Sequence, residues 1–196
     1  MAGPVGSGKT TLVVGLVRAL SNRIPSMAVV TNDVYVASDA QLVIDSGVLT
    51  PDRVIGLATG GCPHTAIRDD VSINENAATE LEERWDDLRL LFIESGGDNL
   101  TTVFSYELID RWICVIDVSG GDDIPAKGGL AIERADLLVI NKTDLAPYVS
   151  ASVGRMMQDS QRSRGAAPVI AGSCREGGML DEIAECVVGW VGSTPL

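Results

Sequence analysis

Short, nearly continuous apolar runs recur along this chain and alternate with stretches of helical periodicity. Met27-Ala28-Val29-Val30, Val54-Ile55-Gly56-Leu57, Leu90-Leu91-Phe92-Ile93, Ile113-Cys114-Val115-Ile116-Asp117-Val118, Leu137-Leu138-Val139-Ile140 and Pro168-Val169-Ile170 read as strands. Runs without a polar face suit a sheet covered on both sides. Between them, helical patterns are predicted over residues 10–20, 37–45, 71–85, 150–162 and 179–190. Strand–helix alternation of this kind predicts an α/β fold, a doubly wound and mostly parallel sheet with functional loops at the strand C-termini. No repeat, long linker or low-complexity segment interrupts it, so residues 1–196 are expected to form a single domain.

Two polar interruptions carry chemistry. Gly3-Pro4-Val5-Gly6-Ser7-Gly8-Lys9-Thr10 fits the phosphate-binding pattern G-x-x-x-x-G-K-[ST], whose backbone N–H groups cradle phosphates, and Thr11 leads into the predicted helix behind it. Gly3, Gly6, Ser7, Gly8, Lys9, Thr10 and Thr11 are the candidate phosphate site. Asn141-Lys142-Thr143-Asp144, directly after an apolar run, has the chemistry to read guanine. Asp144 can accept from N1–H and the 2-amino group, Asn141 can bond the far edge, and Lys142 can lie along the base. Adenine would leave the Asp144 carboxylate facing an acceptor, which costs more than a missing contact. Together the motifs indicate GTP. Ser173, in Gly172-Ser173-Cys174-Arg175, either helps present a backbone N–H to the guanine carbonyl or belongs to a simple helix-entry turn.

A phosphate loop ordinarily follows a strand, yet only Met1 and Ala2 precede Gly3. The strand that ordinarily anchors the loop is missing from the chain as given: either the start is misplaced or truncated, or another segment covers the gap. An uncovered gap is expected to expose backbone donors and apolar side chains on its neighbours and to loosen the phosphate loop.

Composition narrows the partners. Of 196 residues, 45% are hydrophobic and 21% charged, as in a soluble globular protein. No apolar run approaches the ~20 residues of a membrane span, and no signal-peptide pattern opens the chain, so a cytoplasmic protein is expected. A net charge of −12 argues against nucleic acid or an anionic membrane as main partner.

Thr10 is the expected Mg²⁺ ligand of the loop. Asp33 and Glu94, each just past a predicted strand, are candidates for the accompanying acidic group. The alternative for Asp33 is a helix cap, and for Glu94 a solvated strand end. The four cysteines show no Cys-x-x-Cys pairing; Cys114 and Cys186 read as small apolar residues. Cys62 stands two residues from His64, the only histidine. Thiolate with imidazole suits Zn, Cu or Ni. Two ligands are too few for a stable site, and a two-fold dimer would complete an S₂N₂ set, square-planar for Ni²⁺ or tetrahedral for Zn²⁺. An ordinary loop with an unpaired thiol is the alternative.

Taken in order, the phosphate loop, Thr31-Asn32-Asp33, Thr59-Gly60-Gly61-Cys62-Pro63-His64-Thr65-Ala66-Ile67-Arg68, Glu94-Ser95-Gly96-Gly97-Asp98-Asn99-Leu100 and Asn141-Lys142-Thr143-Asp144-Leu145 resemble the urease accessory G protein family. The nickel-insertion GTPase of hydrogenase maturation is its cousin. The resemblance implies a slow GTPase that delivers Ni²⁺ to apo-urease with partner accessory proteins. It implies GTP- and Ni²⁺-dependent homodimerisation through Cys62 and His64. It also implies roles for Lys9 (phosphate), Thr10 and Asp33 (Mg²⁺), Glu94 (γ-phosphate end), and Asn141 and Asp144 (guanine). Catalysis is thereby assigned to Lys9, Asp33 and Glu94. Val36-Ala37-Ser38 and Lys127-Gly128-Gly129-Leu130-Ala131 depart from the family pattern. The alternatives are the hydrogenase-type GTPase, a regulatory GTPase without a metal role, and a scaffold that has lost hydrolysis.

Overall fold

The computed structural model describes residues 1–33, 38–60, 63–97 and 99–193, with backbone alone at Pro63, His64 and Ser193. The elements run α1 (Lys9–Leu20), β1 (Met27–Asp33), α2 (Ser38–Asp45), β2 (Val54–Ala58), α3 (Pro63–Arg68), α4 (Ser72–Arg84), β3 (Leu90–Glu94) and β4 (Ile113–Asp117). They continue with α5 (Ile124–Lys127), α6 (Leu130–Arg134), β5 (Leu137–Asn141), α7 (Val153–Arg164), β6 (Val169–Ala171) and α8 (Gly177–Ser193). Every predicted strand and long helix is present within a few residues of its expected bounds. The short helices α3, α5 and α6 lie in stretches too brief for periodicity to reveal.

Among the described residues the strands form two parallel three-stranded sheets, ordered β2-β1-β3 and β4-β5-β6. Alternation along each strand feeds two cores. Met27, Val29, Val115 and Val139 point toward α1, α2 and α8, where Leu12, Leu16, Val43 and Ile183 are buried. Ala28, Val30, Cys114, Ile116 and Leu138 point the other way, onto Leu81 of α4, Ile132 of α6 and Met156 of α7. Both faces are thus covered by helices, which is why the strands carry no polar face.

Ahead of the phosphate loop, Met1 and Ala2 lie between the two sheets. Ala2 makes a parallel bridge with Cys114, its N–H donating to Ile113 O at 2.9 Å and its carbonyl accepting from Val115 N at 2.8 Å. On the other side the Met1 amino group donates to Ile93 O at 2.5 Å, and Met1 O accepts from Ser95 N at 2.9 Å. Two residues therefore join the half-sheets at the end that matters for the loop. β3 and β4 flank a groove of about 400 Å³ whose lining includes Leu91, Ile93, Leu108, Ile113, Val187 and Trp190.

At the far end of the second sheet, buried Arg164 closes α7. Its guanidinium donates to the carbonyls of Ile132, Ala135 (2.8 Å) and Pro168 (3.2 Å), and Gly165 ends the helix with a φ of 61°. Arg164→Ala strands these acceptors in a buried place. It is expected to lower stability by about 2–3 kcal/mol in urea denaturation; an unchanged midpoint would show that water replaces the guanidinium freely.

Candidate nucleotide site

The site assembles at the C-terminal ends of β1, β3, β4 and β5, where α1 begins. Gly8 precedes α1 in the left-handed region at φ 96°, turning the chain so that the helix N-terminus faces the loop. A side chain at Gly8 would overlap Asn141 Nδ2, and one at Gly3 would overlap the carbonyl of Val115. The loop is therefore pressed against β4 and β5, and glycine is required at both contacts.

Lys9 is buried, its ammonium donating to the Gly3 and Pro4 carbonyls at 3.0 and 3.1 Å. It curls over the loop where phosphates would lie. The Thr10 hydroxyl donates to Glu94 Oε1 at 2.7 Å. Glu94 is not a solvated strand end: it is fully buried, and its Oε2 has no partner among the described residues. The buried Ser7 and Ser95 hydroxyls likewise lack partners there. Burial pushes the Glu94 carboxyl up to about 7, the Thr10 bond and Lys9 opposing and Asp39 adding to the rise. Asp39, in the first turn of α2, is also raised, by burial and then by Asp33. Sequence reading missed Asp39; its signal was an acid in a helix first turn, which a cap explains equally well. Asp33 accepts from the Ser38 hydroxyl at 2.5 Å and from the Ser38 N–H at 3.3 Å, and its carboxylate lies near Asp39.

A hydroxyl bonded to Glu94, with Asp39 beside it, is a donor set for a hard cation. Among the described residues no three of His, Cys, Asp or Glu gather closely enough to hold a metal alone. The set fits Mg²⁺ that draws its remaining ligands from phosphate and water.

The second motif meets the first. Asn141 ends β5, and its Nδ2 donates to Ser7 O at 2.9 Å while its Oδ1 accepts from Cys174 N at 3.1 Å. Lys142, left-handed at φ 59°, donates to Gly6 O and lies 3.7 Å from Asp117 Oδ1. Asp117, also unanticipated, caps the next turn by accepting from Ser119 N at 2.9 Å. Thr11, Asn141, Lys142, Asp144, Ser173 and Cys174 line one pocket of about 300 Å³ beside Gly8. Ser173 is buried, its Oγ accepting from Arg175 N at 3.3 Å, which holds the turn while Cys174 offers its N–H to Asn141. Burial raises the Cys174 thiol. Gly8, Thr11, Asn141, Lys142, Asp144 and Ser173, six of the residues singled out by the motifs, thus line one pocket. Cys62 and Val36-Ala37 lie outside the described residues, as does the side chain of His64.

Residues 1–171 match the family described as CobW/HypB/UreG, nucleotide-binding domain. The urease accessory protein UreG of Streptomyces coelicolor is 51% identical over 187 residues, covering 95% of this chain and 83% of that protein. The chain belongs to the UreG family. Urease accessory protein UreG 2 of a Bradyrhizobium species is 50% identical over 185 residues, covering 94% of this chain and 86% of its own length. Among solved structures, the hydrogenase maturation factor HypB of Archaeoglobus fulgidus superposes with a TM-score of 0.78 at 26% identity, covering 97% of this chain and 87% of that one. HypB of Helicobacter pylori, solved in complex with nickel, shares the fold at a TM-score of 0.80 and 23% identity, covering 100% and 89%. The P-loop GTPase fold expected from the motifs is the fold of the family.

The raised Glu94 carboxyl carries a pH signature. Between its ordinary value of 4.5 and about 7 the folded chain holds a proton that the unfolded chain has released. Stability contributed by that proton is complete below the lower value and is lost as pH rises through the upper one, by an amount on the order of 3 kcal/mol. Urea denaturation across pH 5–8 is expected to show this fall, and Glu94→Gln to flatten it and exceed the parent's stability at pH 8. An undiminished slope in the variant would assign the proton elsewhere.

Proposed function

We propose that this chain is a GTP-hydrolysing metallochaperone that assists incorporation of nickel into the urease active site. The observation that carries the reading is the single cleft shared by the phosphate loop and Asn141-Lys142-Thr143-Asp144. Membership of a nucleotide-binding family with urease accessory proteins as near relatives supports it. Residues 1–196 act as one GTPase domain. In hydrolysis, water attacks the γ-phosphorus and the bond to the β,γ-bridging oxygen breaks, giving GDP and phosphate. Lys9 and the loop N–H groups stabilise the charge that develops on those oxygens. Thr10, with Asp33, would hold Mg²⁺, which neutralises the β- and γ-phosphates when bound. Glu94 registers the γ-phosphate end, a role supported by its hydrogen bond from Thr10. The guanine lies against Lys142 with its edge on Asp144 and Asn141.

Nickel is cargo, and Cys62 and His64 are its ligands, two chains together giving S₂N₂. The partners are apo-urease and the accessory proteins of the same maturation complex, with neither nucleic acid nor membrane, and the place is the cytoplasm. Among the described residues no helix is long and apolar enough to cross a membrane.

Solution mass tests the reading. With GTP, Mg²⁺ and Ni²⁺ together the chain is expected to be a dimer, and a monomer when GTP or Ni²⁺ is left out. Cys62→Ala and His64→Ala should each abolish the dimer and leave GTP affinity within about twofold of the parent, a difference of about 0.4 kcal/mol. Dimerisation by the variants at parental nickel concentrations would remove both residues from the metal site.

A further inference from the structure

The tip of the phosphate loop carries a side chain that no role described so far uses. Ser7 N–H donates to Pro4 O at 3.2 Å, closing a turn in which Val5 takes the second place and Gly6, at φ 78°, the third. Positive φ at the third place calls for glycine, and proline and serine are common turn residues. Valine is not, since its branched β-carbon suits a packed strand. Here it enters no core, for Val5 is 81% exposed. A lone apolar side chain on an open surface needs no explanation, but Val5 is not alone. A side-chain carbon at Gly97 would overlap Val5 Cγ2, so the isopropyl group rests on the backbone of the segment that follows β3. Gly97 stands at φ 101°, where glycine is favoured and the approach stays open.

The contacts of the cleft tell which end of the nucleotide this is. Lys142 reaches Gly6 O and Asn141 reaches Ser7 O from β5, the side of the guanine pocket. Met1 and Ala2 lie between β4, which pairs with β5, and β3, so the end of β3 is on the other side of the loop. There Thr10 donates to Glu94, and Lys9 donates to Gly3 O and Pro4 O. A triphosphate whose base lies against Asp144 therefore runs along the loop toward Glu94 and Gly97. Its last phosphate ends beside the contact of Val5 with Gly97.

We infer that Val5 restrains GTP hydrolysis: its isopropyl group, seated on Gly97, takes space beside the last phosphate that an attacking water would use. The inference rests on the proposed GTPase reading and deepens it. Hydrolysis needs a water in line with the γ-phosphorus. Its oxygen bonds to phosphorus as the bridging oxygen leaves with the electron pair, and its proton passes to a phosphate oxygen or to solvent. That water is best held by a hydrogen-bond acceptor, and two methyl groups offer none. Val5 serves phosphate binding only through its backbone N–H, which any residue except proline supplies. Its side chain therefore acts on the rate and leaves ground-state binding alone, the separation expected of a group felt only in the transition state.

Single-turnover hydrolysis of GTP with Mg²⁺, and affinity for a non-hydrolysable GTP analogue, are measured on the parent, Val5→Ala and Val5→Ile. Val5 is exposed and belongs to neither core, so both variants are expected to keep the fold. Val5→Ala removes two methyl groups and keeps the backbone N–H. Its rate constant is expected to rise roughly tenfold, about 1.4 kcal/mol off the barrier. Analogue affinity should stay within about twofold of the parent. Val5→Ile keeps the branch and the bulk, and its rate is expected at or below the parent's. A purely structural role for Val5 predicts the reverse in Val5→Ala, with weaker analogue binding and slower turnover. That result, an unchanged rate in Val5→Ala, or a Val5→Ile chain as fast as Val5→Ala overturns the restraint and leaves the GTPase reading standing. A parent that does not bind the analogue, or binding without turnover in all three proteins, overturns the GTPase reading and the inference with it. Turnover in Val5→Ala alone, with all three binding the analogue, sustains both.

Discussion

The nucleotide end of this molecule depends on one contact, the amide of Asn141 against the carbonyl of Ser7. It joins the tip of β5 to the phosphate loop, and the room for it exists because position 8 has no side chain. Were the loop an ångström further out, Lys142 would lose Gly6 O and the cleft would split into two surfaces. Asn141 also holds the turn at Cys174 through its other amide atom, so one side chain aligns three loops. A reader of guanine must keep its donors and acceptors fixed before the base arrives, since each unpaired group inside the pocket counts against the wrong base only if it cannot turn away.

How much of this was legible in the chain differs by feature. The strands were readable because burial on both faces leaves unbroken apolar runs, and α1 because Leu12, Val13, Leu16, Val17 and Leu20 fall on one face. Fixed spacing marked the phosphate and guanine motifs, and the fold brings them together at the strand ends as that topology requires. Asp39 was not readable, since its meaning arises only when α2 packs beside Thr10. Asn32 and Asn74 are separated by 42 residues, and nothing local announces that their amides meet. Asp117 shows the same limit: its partner Lys142 is fixed by the β4–β5 pairing, not by proximity in the chain.

The phosphate loop is also held from behind. The backbone ahead of the loop is anchored by a short bridge at the end of the sheet where the loop departs. Met1 and Ala2 make that bridge, with hydrogen bonds to both neighbouring strands.

The central claim is that the two motifs form one guanine-reading pocket. Calorimetric titration with GTP and ATP in the presence of Mg²⁺, on the parent and on Asp144→Ala, tests it most directly. The account predicts a preference for GTP of at least about a hundredfold, roughly 2.7 kcal/mol, that collapses toward parity in the variant. Equal affinity for the two nucleotides in the parent, or a preference that survives loss of the Asp144 carboxylate, would contradict it.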